Sequence, residues 1–228
     1  GGAVERCGAA KLSAAYDPAD IAGLLRAWLG FLETGEDWSY DFGRLRGRRR
    51  QTYLPFRPPF DSFGYLGPGS RLHPVLQRVI GDAYHLDHAP LVVTEYLDEG
   101  DQDLHRDTPD EGVFSLHVPL EPINESFGPL RFCPSLTAPS PCAEPHYGAP
   151  LAVGDAILYN NRIYHSGTAN VYDKARYVIY VTMLRDPSQE AINEEPEEDE
   201  ESNVSHIFGS FRQKFSQLQH VPAPTTEL

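Results

Sequence analysis

A His-x-Asp sequence at His105 and Asp107 constrains how this chain can fold more than any other feature. It follows the segment 91–97, which is rich in β-branched and apolar residues and predicts a strand. Side chains two positions apart on an extended strand point to the same face, so His105 and Asp107 can contact one metal ion. We expect His165, much later in the chain, to complete the metal site. The pattern therefore predicts a three-ligand site assembled from distant parts of the sequence.

Two imidazoles and one carboxylate on one side of a metal ion suit Fe(II) and oxygen chemistry, because the opposite side stays open. Arg176 follows His165 after a turn-forming segment, 166–173, so the strands on either side can return alongside each other. This places Arg176 near the metal, where its guanidinium group can bind the far carboxylate of a dicarboxylate. These residues predict Fe(II), O2 and the cosubstrate 2-oxoglutarate.

A second His-x-Asp sequence, at His85 and Asp87, competes for the same assignment. It lies in the segment 82–90, which has the composition of a connecting loop, whereas His105 follows a strongly predicted strand. We therefore prefer His105 and Asp107 as the metal ligands.

Short β-rich segments separated by Gly and Pro are typical of a mainly β, two-sheet jelly roll. Ahead of them, helices are predicted at 18–32 and 72–80, the first from apolar residues at three- and four-residue steps. A short opening strand is predicted within 4–12. The predicted core strands are Phe114–Leu120, Leu130–Cys133, Asp155–Tyr159 and Arg176–Leu184.

Gly154–Tyr159 precedes His165-Ser166-Gly167 and Arg176, and Gly128–Ser135 contains a Gly-x-Leu sequence. In this order after His-x-Asp, these segments resemble the phytanoyl-CoA dioxygenase family of Fe(II)- and 2-oxoglutarate-dependent oxygenases, over about 91–184. The resemblance implies a double-stranded β-helix, a cupin-like jelly roll, with flanking N-terminal helices. It also implies the iron ligands His105, Asp107 and His165, and the 2-oxoglutarate contact Arg176.

Two positions depart from the family pattern. After Pro134 the chain has Ser135-Leu136-Thr137 where the family often has Gly-Ser-His, so we expect a differently built loop. His117 stands where relatives commonly carry a tryptophan near the cosubstrate, so a hydrogen-bonding ring replaces an apolar one. The strand pattern predicts that Tyr96 and His117 face inward, where both are candidates for cosubstrate contacts. The alternative is that these two side chains only fill the core.

The resemblance implies oxidation of a small-molecule substrate. Halogenases of this general class lack the carboxylate ligand and bind a halide in its place, whereas this chain retains Asp107. We therefore expect hydroxylation or a related oxidation such as desaturation or ring formation. Two alternatives stay open, namely a metal-dependent cupin enzyme that uses no 2-oxoglutarate and a non-catalytic barrel that binds metal or metabolite as a scaffold. Arg176 argues against the first alternative, since a metal-only mechanism needs no charge at that position.

The net charge of −14 argues against a nucleic-acid partner, since phosphate contacts depend on clustered Lys and Arg. No apolar run approaches the roughly 18 residues that a membrane-spanning helix needs. The cysteines Cys7, Cys133 and Cys142 lack metal-ligand spacing, and their odd number favours free thiols in a reducing, intracellular and cytoplasmic compartment. The chain begins with Gly1-Gly2 rather than Met, so a removed targeting segment stays open as an alternative.

We expect one domain over 1–188, with its β-helix core at about 91–184. The segment 189–203 is predicted to be a linker, because its acidic run cannot bury enough apolar surface to offset the entropy of ordering. A C-terminal helix and tail are predicted over 204–228. The apolar face of that helix is a candidate surface for docking on the barrel, for forming a homo-oligomer or for covering the pocket.

Five arginines fall within Arg44–Arg50 of an otherwise acidic chain. Such a cluster can guide an anionic substrate to a site, but a solvated surface loop is the commoner explanation and the one that we favour. Prolines at positions 55, 58 and 59 also oppose regular structure just after the cluster.

Overall fold

The computed structural model describes residues 4, 7–34, 41–45, 49–54, 58, 60, 66–96 and 100–185. The predicted linker at 189–203 and the predicted helix and tail at 204–228 lie outside these residues. The helices are α1 (Pro18–Thr34), α2 (His73–Ile80) and a 3₁₀ helix (Glu125–Phe127). The strands are β1 (Ala9–Leu12), β2 (Asp41–Leu45), β3 (Arg49–Tyr53), β4 (Tyr84–His88), β5 (Pro90–Thr94), β6 (Val113–Pro119), β7 (Leu130–Phe132), β8 (His146–Tyr147), β9 (Ala156–Asn160), β10 (His165–Gly167) and β11 (Arg176–Arg185).

β11 lies near the centre of the larger sheet, whose strand order is β1-β9-β6-β11-β5-β3-β2 with antiparallel pairing. Two strands pair with successive parts of β11 along one edge. β5 pairs with Arg176–Ile179, and β4 pairs with the last residues of β11, where the register shifts. In this arrangement Arg49 of β3 and Arg176 of β11 are both in register with Thr94 of β5. The sheet therefore brings residues from three distant segments into one row.

The smaller sheet has the order β10-β7-β8 and lies against the inner face of the larger one. A cluster of apolar side chains fills the space between the two sheets, and this packing confirms the predicted two-sheet jelly roll. Its buried members are Ile123, Phe127, Leu130, Phe132, Leu151, Ile157, Tyr159, Ile163 and Val178.

The outer face of the larger sheet is covered by α1 and α2. Alternate residues of β6 and β11, such as Leu116 and Val181, share one buried cluster with Ile21 of α1 and Leu76 of α2. Each fully buried Leu or Ile contributes roughly 2 kcal/mol to this packing. The predicted apolar stripe of α1 is buried at its start but not at its end, because Leu32 is 53% exposed.

Two segments predicted as loops belong to the larger sheet instead. The segment 82–90 contains β4, which pairs with β11, so the predicted loop was wrong there. Arg49 and Arg50 start β3, and Arg49 is 2% exposed rather than solvated. In both cases hydrogen bonds to a neighbouring strand compensate for a weak local preference for extended structure.

The prediction of three free thiols was wrong for two of them. Cys133 and Cys142 form a disulfide with a Cα–Cα distance of 5.7 Å, whereas Cys7 is free and exposed. The disulfide closes the loop after β7, where the sequence departs from the phytanoyl-CoA dioxygenase pattern. The cysteines therefore no longer argue for a reducing compartment. No α-helix in the part of the chain that the structure describes is long and apolar enough to cross a membrane.

Candidate metal centre

The backbone brings the predicted metal ligands together at one edge of the fold. His105 and His165 form a β-bridge, in which each backbone N–H donates to the other's carbonyl oxygen at 2.9 Å. The backbone N–H of Asp107 donates to the Asn161 carbonyl oxygen at 3.2 Å, just beyond β9. These bonds fix two separate segments against each other, so their side chains converge.

The three side chains have the geometry of a metal site. Asp107 Oδ1 lies 3.7 Å from His105 Nε2, and Asp107 Oδ2 lies 3.6 Å from His165 Nε2. All three ligand atoms lie within 4.8 Å of one another. An ion about 2.1 Å from each ligand atom requires roughly these separations. The donor set fits Fe(II), because two imidazoles and one carboxylate on one face leave the other positions open.

Hydrogen bonds outside the metal position orient the two imidazoles. His105 Nδ1 lies 2.8 Å from the Asp103 carbonyl oxygen, and His165 Nδ1 lies 3.0 Å from that of Ile163. A carbonyl oxygen only accepts, so each Nδ1 carries the proton and each Nε2 keeps its lone pair for the metal. Burial lowers the pKa of His165, against an opposing effect of Asp107, which also favours the neutral, ligating form.

Tyr159 holds the carboxylate ligand from the inner face of β9. Its hydroxyl donates to Asp107 Oδ2 at 3.2 Å, and its ring centroid lies 4.9 Å from that of His165. Burial, reinforced by the charge of Asp107, raises the pKa of Tyr159 well above its ordinary value. The phenol therefore stays protonated and can keep donating to the carboxylate.

A cavity of about 500 Å³ adjoins the three ligands and extends along the inner face of the larger sheet. Its wall changes in chemistry from one side to the other. Arg49, Thr94 and Arg176 form the buried side, whereas Asp87 and Asp110 lie among the lining residues elsewhere. A volume of this size holds a small-molecule ligand.

Arg176 lies where the sequence predicted, on the cavity wall and 6% exposed. Its Nη1 donates to the carbonyl oxygens of Phe127 at 2.6 Å, of Thr168 at 3.3 Å and of Gly128, and its Nη2 donates to Thr94 Oγ1 at 3.1 Å. These contacts hold the guanidinium group in a fixed orientation. They also explain the Gly-x-Leu sequence, since a Cβ at Gly128 would collide with Nη1 and the backbone φ there is +76°.

The two candidates for cosubstrate contacts have different positions, and neither is among the residues that line the cavity. His117 is 2% exposed on the inner face of β6, and its ring meets that of Tyr180 edge-on at 5.0 Å. Neither ring nitrogen has a hydrogen-bond partner in the described part of the chain. Burial, with smaller effects of Arg176 and His165, lowers the pKa of His117 to about 3, so the ring is neutral.

The prediction that Tyr96 faces inward was wrong. This residue lies beyond the end of β5, its side chain is 52% exposed, and it is not among the residues that line the cavity. The strand ends at Thr94, so the two-residue alternation that placed Tyr96 inside does not continue to it.

Other residues of the family-like segments have structural roles. Asp155 accepts hydrogen bonds from the backbone N–H groups of Ala14 and Ala152 and pairs with Lys11 at 2.9 Å. Burial alone would raise the pKa of Asp155, but these contacts lower it. Asn170 Nδ2 donates to three backbone carbonyl oxygens, of which that of Lys174 is nearest at 2.8 Å. These side chains hold the strand ends that carry the metal site.

Sequence reasoning missed Arg49 as a residue of the site. It donates through Nη2 to the carbonyl oxygens of Gly100, Gly167 and Thr168 at 2.9, 3.3 and 2.9 Å. Within a run of five arginines, nothing local distinguishes it from its neighbours. Only its pairing with Thr94 across β3 and β5 turns it toward the cavity.

Solved structures with a similar fold include the non-heme alpha ketoglutarate dependent epimerase SnoN from nogalamycin biosynthesis, with a TM-score of 0.65 and 18% identity over 80% of each chain. EctD from S. alaskensis gives a TM-score of 0.65 and 16% identity over 80% of this chain and 75% of that one. HygX from Streptomyces hygroscopicus, solved with nickel and 2-oxoglutarate bound, gives a TM-score of 0.59 and 16% identity over 79% of this chain and 84% of that one. The chain shares their fold. No protein-family profile and no curated protein matches it.

Proposed function

We propose that this protein is an Fe(II)- and 2-oxoglutarate-dependent oxygenase that oxidises a C–H bond of a small-molecule substrate. One observation carries the proposal: His105, Asp107 and His165 converge beside a cavity whose buried side presents Arg176. The fold supports it, since structural neighbours include an alpha ketoglutarate dependent enzyme and a protein with 2-oxoglutarate bound. Within this class, we propose a member similar to the phytanoyl-CoA dioxygenase family, and the Gly-x-Leu and Gly-Asp sequences support this.

His105, Asp107 and His165 would hold the iron through two Nε2 atoms and a carboxylate, and Tyr159 keeps the carboxylate oriented. Iron held there with 2-oxoglutarate would supply the activation of O2, with 2-oxoglutarate taking up one oxygen atom as it is converted to succinate and carbon dioxide. The chain's own residues bind and orient the reactants around that chemistry. Since Asp107 occupies its ligand position, we assign hydroxylation or a related oxidation to this enzyme rather than halogenation.

Arg176 would bind the far carboxylate of 2-oxoglutarate. Its guanidinium group is held by backbone carbonyl oxygens and by the Thr94 hydroxyl, so its orientation on the cavity wall is fixed. A charge-assisted hydrogen bond to a carboxylate gains strength in a site with little water. His117 does not line the cavity, so its neutral ring can act on the site only through Tyr180, the cavity-lining ring that it meets edge-on.

The first experiment is an anaerobic titration of the apo-protein with Fe(II), followed by 2-oxoglutarate. The proposal predicts a weak visible absorption band when 2-oxoglutarate chelates the bound iron. His165→Ala should abolish the band, whereas His146→Ala should keep it, because His146 is an exposed residue of β8 that does not line the cavity. Iron binding without the band in wild type would favour a metal-only cupin enzyme, and no iron binding would favour a scaffold.

A further inference from the structure

Two arginine side chains reach the buried side of the cavity from strands that flank β5. Arg49 of β3 and Arg176 of β11 are each in register with Thr94. Residues in register on adjacent strands point to the same face, so the three side chains form one row across the sheet. All three line the cavity and are almost fully buried, with exposed fractions of 2% for Arg49, 0% for Thr94 and 6% for Arg176.

The two guanidinium groups meet at one backbone oxygen. Arg49 Nη2 donates to the Thr168 carbonyl oxygen at 2.9 Å, and Arg176 Nη1 donates to the same atom at 3.3 Å. Arg176 Nη2 also donates to Thr94 Oγ1 at 3.1 Å. Two positive charges and a hydroxyl therefore stand together at the segment that follows the metal ligand His165.

Like charges that are brought together in a buried site repel each other, and a negatively charged ligand relieves that repulsion. A carboxylate has two oxygens, and each can accept from a different guanidinium group. We infer that Arg49 is a second binding residue for the far carboxylate of the cosubstrate, and that it and Arg176 together select dicarboxylic over monocarboxylic 2-oxo acids. This inference rests on the proposed function and extends it.

The test compares two ligands with the same metal-chelating end: 2-oxoglutarate has the far carboxylate and 2-oxobutyrate lacks it. Dissociation constants are measured by calorimetry on Ni(II)-loaded wild type, Arg49→Gln, Arg49→Lys and the control Arg50→Gln. Arg50 is the next residue on β3, but its side chain is exposed and pairs with Glu95 at 3.2 Å. Arg49→Gln should weaken 2-oxoglutarate at least tenfold and leave 2-oxobutyrate within twofold, whereas Arg49→Lys should recover part of the loss. Arg50→Gln should change neither.

A purely structural Arg49 would give a different result. Because Arg49 also donates to Gly100 and Gly167, its structural loss would weaken both ligands and Ni(II) together, leave the ratio of the two dissociation constants unchanged and overturn the inference. Unchanged 2-oxoglutarate affinity in Arg49→Gln would overturn it as well. If Arg49→Gln does not fold, Arg49→Lys decides through the ratio of the two dissociation constants. In that variant we expect the affinity for 2-oxoglutarate to fall about threefold relative to that for 2-oxobutyrate. Wild type that fails to bind 2-oxoglutarate would instead refute the proposed function.

Discussion

Replacing Arg176 with Gln should separate the two contributions of this side chain, to stability and to cosubstrate binding. The guanidinium group donates to the carbonyl oxygens of Phe127, Gly128 and Thr168 and to the Thr94 hydroxyl. A shorter amide cannot reach these acceptors together. Because the Thr168 carbonyl oxygen keeps Arg49 as a donor, three buried acceptors are left without one, and each costs about 1 kcal/mol. We expect the free energy of unfolding to fall by about 3 kcal/mol, which lowers Tm by roughly 10 °C in a chain of this size.

The second effect is on the ligand. A hydrogen bond to a charged group is worth about 1.5–3 kcal/mol, so the dissociation constant of 2-oxoglutarate should rise about 10- to 150-fold in Arg176→Gln. Calorimetry on the Ni(II)-loaded protein measures this, and Ni(II) affinity itself should change little, because Arg176 is not one of the three candidate metal ligands. The matched control is Arg78→Gln on the exposed face of α2. A folded Arg176→Gln protein with 2-oxoglutarate affinity within twofold of wild type would refute the reasoning.

Three further outcomes follow from the structure. Asp107→Ala should abolish Fe(II) binding at micromolar metal and all turnover, and iron-dependent activity in this variant would remove Asp107 from the site. Gly128→Ala should lower the free energy of unfolding by about 2 kcal/mol or more in denaturant titration, because a Cβ there meets backbone oxygens at a φ of +76°. Gly30→Ala, in open space on α1, should raise it by about 0.5–1 kcal/mol, and equal effects would contradict the argument. His117 is neutral in the folded state, with a pKa of about 3, whereas in the unfolded chain it binds a proton near pH 6.5. The free energy of unfolding of wild type should therefore fall by up to roughly 4–5 kcal/mol as the pH falls from 6.5 to 3. The free energy of unfolding of His117→Phe should fall correspondingly less over that range. Parallel curves of unfolding free energy against pH for the two proteins would refute the lowered pKa of His117.

The sequence predicted two of the three metal ligands through a local rule, and the structure brings all three together. On a strand the side-chain period is two, which predicted that His105 and Asp107 share a face. In the structure they lie outside the strands, and their side chains converge through the isolated β-bridge of His105 with His165 and the backbone bond of Asp107 to Asn161. The position of Arg176 followed from a turn between two β-rich segments, and the strand pattern itself predicted the jelly roll. All of these are statements about neighbours in the sequence, which local patterns describe well.

Only the tertiary structure decided which distant residues join them. Arg49 enters the cavity because β3 pairs with β5 in one register, and a shift of one residue would have turned it to the other face. Tyr96 lies outside because β5 ends two residues earlier, and Cys133 meets Cys142 because the loop after β7 folds back. Pairing, register and loop closure depend on contacts between segments far apart in the chain, so no local pattern specifies them.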